Sequence, residues 1–157
     1  MMPAPTANAM PLTVRVLRAD ETDAAARLHA ASSLLIPGYA HDHTPDQDRA
    51  FYREQVFRKG PIWGAFGHGR LVGHVALSPG WVDHLYVAPA HNGKGVGRTL
   101  IERAQREQDE LQLYTFQSNA RARRFYAANG FVEEELGDGS GNEEGMPDVR
   151  LRWRRAS

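Results

Sequence analysis

The sequence predicts a mixed α/β domain in which a central twisted sheet of six to seven strands is flanked by about four helices. Three observations carry this prediction. Short segments with alternating apolar residues recur along the chain, segments with apolar residues at helical spacing separate them, and a glycine-rich turn joins a β-rich segment to a helix. The resulting order is β-α-α-β-β-β-α-β-α-β-β, which is typical of a mixed sheet with helices on its faces.

The first half of the chain contains three clear local signals. Residues 12–17 alternate apolar and polar side chains and predict a first strand, after which Asp20 is expected to cap the first helix. Residues 44–47 (Thr-Pro-Asp-Gln) have the arrangement of a second helix start, with an N-cap, a proline at the first helical position and a glutamine that completes a capping box. The turn at residues 67–69 is expected to join two strands as a hairpin.

The second half contains the glycine-rich turn and then a helix with signals at both ends. Asn119 is expected to begin this helix, and Asn129 with Gly130 to end it in a left-handed C-cap with Phe131 as the apolar contact. The last strand, residues 148–154, alternates apolar side chains with arginines, so one of its faces should be buried.

Composition limits the classes of function that this chain can have. We expect residues 1–11, which are rich in proline and alanine, to form a disordered tail and residues 12–157 to form one domain. Lys and Arg together number 19, as do Asp and Glu, so no net charge recruits nucleic acid or a membrane surface. The lack of cysteine excludes thiolate catalysis and fits a cytoplasmic protein.

The turn at residues 92–98 (Asn-Gly-Lys-Gly-Val-Gly-Arg) has three glycines at alternate positions, which neither helix nor strand propensity explains. Such a turn at a helix start exposes free N–H groups at the positive end of the helix dipole, so a pyrophosphate is the expected ligand. Two familiar phosphate motifs do not fit. Ala88 stands where a Walker A loop needs its first glycine, and the spacing G-x-G-x-G differs from the dinucleotide fingerprint.

This stretch resembles the signature of the GNAT superfamily of acyl-CoA-dependent N-acetyltransferases, in which V-x-P follows a strand and R/Q-x-x-G-x-G/A opens a helix. Residues 87–89 (Val-Ala-Pro) and 92–97 match it, with Asn92 in place of the usual Arg or Gln. A second family pattern, N-x-x-A-x-x-[FL]-Y-x-x-x-G-F, is matched in register over residues 119–131. The matching residues are Asn119, Ala122, Phe125, Tyr126, Gly130 and Phe131.

The resemblance covers residues 12–154 and implies a GNAT-like fold whose fourth and fifth strands splay apart. It implies transfer of an acetyl group from acetyl-CoA, as co-substrate, to a primary amine of a small molecule or peptide by direct attack in a ternary complex, without a metal. A non-catalytic CoA- or acyl-CoA-binding sensor of the same fold is the alternative. Neither nucleic acid nor membrane is expected as a partner, and family members often dimerise, which makes a homodimer one expectation.

The resemblance also assigns residues to the cofactor. The arm of the cofactor is expected along the fourth strand, with the Val87 N–H facing the thioester oxygen, and the diphosphate at the turn. The implied cofactor-binding residues are Leu85, Tyr86, Val87, Asn92, Gly93, Lys94, Gly95, Val96, Gly97, Arg98, Thr99, Asn119 and Tyr126.

Catalytic and acceptor residues follow from the same resemblance. Tyr126 is implied as the general acid that protonates the departing sulfur. The general base stays open between Asp83, on the face shared with Val87, and His84, whose ordinary pKa suits the task better; a strand bulge would exchange the two, and His74 is a third candidate. The resemblance also allows for no dedicated base, because in several family members the fraction of free amine suffices. The loop between the first two helices is expected to wall the acceptor site. The candidate acceptor contacts are Leu35, Ile36, Tyr39, His41, His43 and His74.

Overall fold

A computed structural model describes residues 10–157 of the chain. Most of the predicted disordered tail, residues 1–9, lies outside the described residues. Met10 packs beside the core, where its side chain lies against Gly67. Within residues 10–157, no helix combines the length and the apolar character that a membrane crossing requires.

Seven strands and four helices form the domain, in the predicted order. The strands are β1 (Thr13–Val16), β2 (Ile62–Gly67), β3 (Arg70–Ser78), β4 (Trp81–Val87), β5 (Glu110–Phe116), β6 (Val132–Gly137) and β7 (Asp148–Arg154). The helices are α1 (Thr22–Ser33), α2 (Pro45–Phe51), α3 (Val96–Glu107) and α4 (Ala120–Ala128). α2 continues through a π-helical turn at Tyr52–Val56 and ends in the short turn Phe57–Lys59.

The strands form one sheet in the order β1-β2-β3-β4-β5-β7-β6. Every neighbouring pair is antiparallel except β4 and β5, which are parallel and meet at one position, Trp81 opposite Gln112. Beyond that position the two strands separate, and a cleft opens between their C-terminal ends. The mixed sheet and its splayed centre are both confirmed.

Apolar packing holds helices on both faces of the sheet. α3 and α4 pack on one face, where Leu100, Ile101 and Leu151 are almost fully buried in the larger core cluster. α1 and α2 pack on the other face, in a smaller cluster that contains Ala25 and Tyr52. The cleft between β4 and β5 is therefore bordered by helices from both layers.

Two of the predicted helix starts are confirmed and one is wrong. Thr44 Oγ1 accepts a hydrogen bond from the Gln47 amide at 3.1 Å, and Gln47 Oε1 accepts from the Thr44 amide at 2.8 Å. Asn119 Oδ1 likewise accepts from the Ala122 amide at 3.1 Å. Asp20, however, does not cap α1. A 3-10 turn at Ala19–Glu21 precedes the helix, and Glu21 caps this turn by accepting from the Arg18 amide at 2.8 Å.

Candidate active site

The glycine-rich turn enters α3 with two glycines in the left-handed region of backbone space. Gly93 has a φ of +77°, and Gly95, the residue before α3, has a φ of +84°. A Cβ atom added to either would meet no atom within 4 Å, so both face open space. The Thr99 amide makes the first helical hydrogen bond, to the Gly95 carbonyl, at 3.1 Å. The preceding amides therefore have no helical carbonyl as partner and are available to an anion.

Gly97 has a different role from the other two glycines of the turn. A Cβ atom at Gly97 would lie 3.2 Å from Cε1 of Phe125 and 3.6 Å from Cγ2 of Val87. The missing side chain lets α3 approach α4 and the end of β4 closely. The left-handed backbone therefore explains Gly93 and Gly95, whereas close packing explains Gly97.

A cavity of about 570 Å³ opens beside this turn, and we call it the glycine-turn cavity. Its walls are the turn, the end of β4, the start of α4 and the residues that follow α1. Arg98 and Arg121 line it, and no carboxylate of residues 10–157 does. Its charge is therefore complementary to a polyanion.

A larger cavity of about 1190 Å³ adjoins the first, in the cleft between the separating ends of β4 and β5. We call it the acidic cavity because eight carboxylates and no Lys or Arg of the described chain line it. α2, the loop before α2 and the segment around the β6–β7 loop close its other sides. The lining carboxylates are Asp48, Glu54, Asp83, Glu135, Asp138, Glu143, Glu144 and Asp148.

Tyr126 lies where the two cavities meet and lines both of them. Its side chain is only 7% exposed, and its hydroxyl makes no hydrogen bond to any residue that the structure describes. Burial raises the pKa of Tyr126 well above its ordinary value, and the nearby Tyr86 adds to this effect. Tyr126 therefore presents a protonated hydroxyl at the junction at neutral pH, able to donate to a molecule that spans it.

The glycine-rich turn, the splayed strands and the whole of α4 fall within one segment that matches a known family. A family model described as Acetyltransferase (GNAT) family matches residues 28–131, about two thirds of the chain. The chain belongs to the GNAT acetyltransferase family. The expectation drawn from the two sequence motifs is thus confirmed, and the protein is an acetyltransferase.

Proteins similar in sequence to this acetyltransferase are themselves named acetyltransferases or N-acetyltransferases. An uncharacterized N-acetyltransferase of Archaeoglobus fulgidus is 28% identical over 148 residues, which cover 84% of this chain and 100% of that protein. A streptothricin acetyltransferase of Escherichia coli is 33% identical over 60% of this chain and 53% of its own length. Among solved structures, the PaiA N-acetyltransferase of Thermoplasma acidophilum in complex with coenzyme A superposes with a TM-score of 0.75 at 20% identity, over 92% of this chain and 99% of that one.

Ten of the thirteen cofactor residues implied by the resemblance line the glycine-turn cavity. The other three are Lys94, Val96 and Thr99. The Val96 side chain is 1% exposed in the core, and the Thr99 hydroxyl donates to the Gly95 carbonyl at 3.0 Å. The side chains of Val96 and Thr99 thus stabilise the start of α3, and only their backbone is left to contact a ligand.

β4 carries both candidates for the general base beside a register irregularity. Ala76 of β3 pairs with His84, whereas its neighbour Leu77 pairs with Val82, so Asp83 has no partner across the strands. This is the strand bulge that the sequence left open. Asp83 and His84 both line the acidic cavity as a result. The choice of base between these two residues stays a prediction.

Burial keeps the imidazoles of this region neutral. It lowers the pKa of His84 to about 4; Lys59 acts in the same direction, and Asp83 opposes it. It lowers the pKa of His29, on α1, to about 2, and the neighbouring imidazoles contribute. His29 lines the acidic cavity and stacks on Tyr86, with ring centroids 4.1 Å apart. We did not predict a role for His29, although it lies four residues after the buried Ala25 and so on the packed face of α1.

Tyr52 joins two of these histidines in a buried chain of hydrogen bonds. Its hydroxyl lies 2.7 Å from His29 Nδ1 and 2.9 Å from His74 Nε2. One hydroxyl carries one proton, so it donates to one imidazole and accepts from the other. His74, which we expected to contact the acceptor or act as base, is fully buried and lines neither cavity. Its place is behind Tyr52, where it supports the wall that His29 forms.

Substitution of Tyr52 by phenylalanine is expected to lower the free energy of unfolding by about 2–4 kcal/mol, because it leaves two buried imidazole nitrogens without partners. Urea denaturation at pH 7.5 measures the effect. The matched comparison is His74→Leu in the Tyr52→Phe background, because it removes one of the two imidazoles that lost their partner. The free energy of unfolding should therefore fall by less in the double variant than the sum of the decreases in the two single variants. Strict additivity would show that the hydroxyl and His74 do not interact.

The expected acceptor residues surround the acidic cavity, with one exception besides His74. Tyr39 and His41 line it, joined by a 3.1 Å hydrogen bond, and His41 Nε2 lies 2.8 Å from Asp48 Oδ2. Leu35 lines the glycine-turn cavity instead. His43 contacts Glu143 across 2.6 Å and so joins the loop before α2 to the β6–β7 loop. Among residues 10–157, no three His, Asp or Glu side chains form a group that could hold a metal ion.

Proposed function

We propose that this acetyltransferase transfers an acetyl group from acetyl-CoA to a primary amine of a small molecule or peptide, by direct attack in a ternary complex. One observation carries the proposal: a cavity with only cationic charges and a cavity with carboxylates meet at Tyr126, a largely buried residue whose hydroxyl has no hydrogen-bond partner in the described chain. Coenzyme A is a polyanion and a primary amine is a cation at neutral pH. Each substrate thus has a cavity of opposite charge, and their reacting ends meet at Tyr126.

The glycine-turn cavity suits the diphosphate and the arm of acetyl-CoA. Gly93 and Gly95 leave the backbone of the turn open to solvent, and the amides before Thr99 point from the positive end of α3. Arg98 adds a charge that is 75% exposed. It pairs with Glu102 across 2.9 Å, and such a surface ion pair costs about 1 kcal/mol or less to exchange for a phosphate. A structural neighbour that was solved in complex with coenzyme A supports coenzyme A as the ligand. The contact between the Val87 N–H and the thioester oxygen stays part of the proposal.

Tyr126 has the properties that the departing thiolate requires. In the transfer, the amine nitrogen forms a bond to the carbonyl carbon as the carbon–sulfur bond breaks, and the electron pair of that bond stays on sulfur. The protonated Tyr126 hydroxyl donates its proton to this sulfur, and the proton is later replaced from solvent. A hydroxyl without a partner in the described chain is free to turn toward the sulfur.

The ammonium that enters loses two protons on becoming an amide, one before its nitrogen attacks the carbonyl carbon and one afterwards. Asp83 and His84 line the cavity and are the groups that would take these protons and pass them to solvent. His84 is neutral at pH 7, so its imidazole can accept a hydrogen bond from the amine. Because its pKa is lowered, a proton that it takes up is quickly released again. Asp83, beside it on the bulge, supplies the negative charge that stabilises His84 while the proton passes. We therefore assign Asp83 and His84 to proton removal as a pair.

Thiol release from acetyl-CoA in the presence of a panel of primary amines tests the proposal. We expect release with at least one amine, at a rate proportional to enzyme concentration, together with a product heavier by one acetyl group. Coenzyme A binding without thiol release for any amine would instead identify the non-catalytic sensor. Homodimer formation, checked by sedimentation of the same preparation, stays a separate prediction.

Substitution of Arg98 by glutamate is expected to weaken coenzyme A binding about tenfold at low salt, because it reverses a charge beside the diphosphate. Calorimetric titration at low and at high salt measures the effect, which should shrink as salt is added. Arg124→Glu is the matched control, since it makes the same charge change on α4 but lines neither cavity. Equal weakening by both variants would show that net charge, and not the turn, governs binding.

A further inference from the structure

The charge of this acetyltransferase is divided sharply between its two cavities, although the chain as a whole has no net charge. Arginines line the glycine-turn cavity, and eight carboxylates line the acidic cavity without a Lys or Arg of the described chain among them. Low-dielectric walls concentrate such a field inside a cleft and raise the local concentration of ions of opposite sign. The acidic cavity is therefore expected to attract cations strongly.

The histidines of the acidic cavity do not cancel this charge. Burial lowers the pKa of His29 and of His84, so both are neutral at pH 7. His41 and His43 contact one carboxylate each, Asp48 and Glu143. Other carboxylates of the cavity have no cationic partner within residues 10–157. Among them are Glu54, Asp83, Asp138 and Glu144.

These unpaired carboxylates come from separate parts of the fold. Asp83 is on the β4 bulge, Glu54 on the π-helical turn after α2, and Asp138 and Glu144 on the β6–β7 loop. Among the described residues no three of them converge on a point where they could hold one ion, so a single ammonium group cannot contact all four. A cavity of about 1190 Å³ also exceeds the space that a small monoamine fills. An acceptor that fills the cavity therefore extends well beyond the amine that reacts, and it carries a second positive charge at some distance from that amine.

One observation besides the carboxylates indicates a ligand here. Tyr126 lines the cavity and is only 7% exposed, and its hydroxyl has no hydrogen-bond partner in the described chain, so a bound molecule would satisfy it.

We infer that the acidic cavity selects acceptors with a second positive charge besides the amine that is acetylated, that is, aliphatic diamines or polyamines. This inference rests on the proposed function and narrows it. The reacting amine lies near Asp83, His84 and Tyr126, and the distal ammonium lies among the carboxylates of α2 and of the β6–β7 loop.

Three acceptors of equal chain length test the inference: cadaverine, pentylamine and the terminal aminocarboxylate of the same length. They share one primary amine and differ in a distal group that is cationic, apolar or anionic. We expect kcat/KM to fall in that order, with about tenfold to a hundredfold between cadaverine and the aminocarboxylate, and the ratio to shrink as salt is added. Equal values for the three acceptors, or preference for the anionic one, would overturn the inference while leaving amine acetylation intact.

Charge-removing variants locate the effect. Glu54→Gln with Glu144→Gln should raise KM for cadaverine about tenfold and change the constants for pentylamine little. Glu107→Gln, at the end of α3 and outside both cavities, is the matched control and should change neither. Calorimetric titration of the CoA-saturated enzyme with cadaverine measures binding without turnover, so it is informative even if no amine is acetylated. An affinity for cadaverine that is the same in the parent and in the double variant would overturn the inference.

Discussion

Replacing Tyr126 by phenylalanine is expected to lower kcat for acetyl transfer by about 10²- to 10⁴-fold, the range that a general acid contributes. The variant loses one oxygen from a side chain that is 7% exposed, and its ring can keep its contacts with Phe125 and Phe131 at centroid distances of 5.2 and 5.5 Å. The lost hydroxyl has no partner in the described chain, so no group is orphaned. Stability and coenzyme A affinity should therefore stay close to those of the parent.

The measurement is thiol release at saturating concentrations of both substrates, with calorimetric coenzyme A affinity and thermal unfolding as controls. If Tyr126 is the general acid, the size of the loss in kcat should also depend on the leaving group. An acetyl thioester whose thiol is more acidic needs less help to leave, so the loss in kcat should be smaller with it than with acetyl-CoA. An equal loss with both thioesters would assign Tyr126 to positioning, and no loss would remove it from the reaction.

Acid is expected to unfold the domain near pH 5, through three imidazoles whose protonation the fold opposes: His74 is fully buried, and His29 and His84 are partly buried on the wall of the acidic cavity. The pKa values of His29, His74 and His84 are lowered to about 2, 3 and 4 from an ordinary value of 6.5, and burial is the main cause in each. Above about pH 6.5 these groups are neutral in both states and add no pH dependence. As the pH falls below that value, the unfolded chain binds protons that the folded chain cannot. Each group then lowers the free energy of unfolding by up to about 1.4 kcal/mol per pH unit.

Together, three such groups lower the free energy of unfolding by up to about 4 kcal/mol per pH unit. The whole free energy of unfolding of a typical domain is roughly 5–15 kcal/mol. Urea denaturation at several values between pH 7.5 and 5 measures the slope. The lowered pKa of Glu21, held down by its hydrogen bond to Arg15, weakens stability only below about pH 4.5, so it does not enter this window. His74→Leu should reduce the pH dependence of the free energy of unfolding by the equivalent of one bound proton, about 1.4 kcal/mol per pH unit. A pH dependence below this value in the parent would contradict imidazoles that stay neutral in the folded state.

Local sequence signals predicted the features of the fold that neighbouring residues determine. The capping box at Thr44 and Gln47, the N-cap at Asn119 and the left-handed Gly130 all depend on contacts within a few residues, and all three are present. The glycine-rich turn also belongs to this class. The wrong cap at Asp20 shows the limit of such signals. Glu21 is held by Arg15 of β1 at 2.7 Å, and that contact makes Glu21 the better cap of the turn.

The rest of the candidate site depends on residues that are distant in sequence. Tyr52 meets His29 and His74 from positions 23 and 22 residues away, so no spacing rule indicates the buried chain of hydrogen bonds. The bulge at Asp83 arises from the pairing of β4 with β3 and is invisible in β4 alone. The acidic cavity likewise combines carboxylates from α2, β4 and the β6–β7 loop. Only the folded sheet brings them together.

The uneven charge of the two cavities should also influence product release after each turnover. Acetylation converts an ammonium into a neutral amide, so the molecule that leaves carries one positive charge fewer than the molecule that entered. The carboxylates that draw the acceptor inward hold its acetylated form more weakly. The acetylated product should therefore dissociate faster than the acceptor from which it was made, and it should inhibit only weakly.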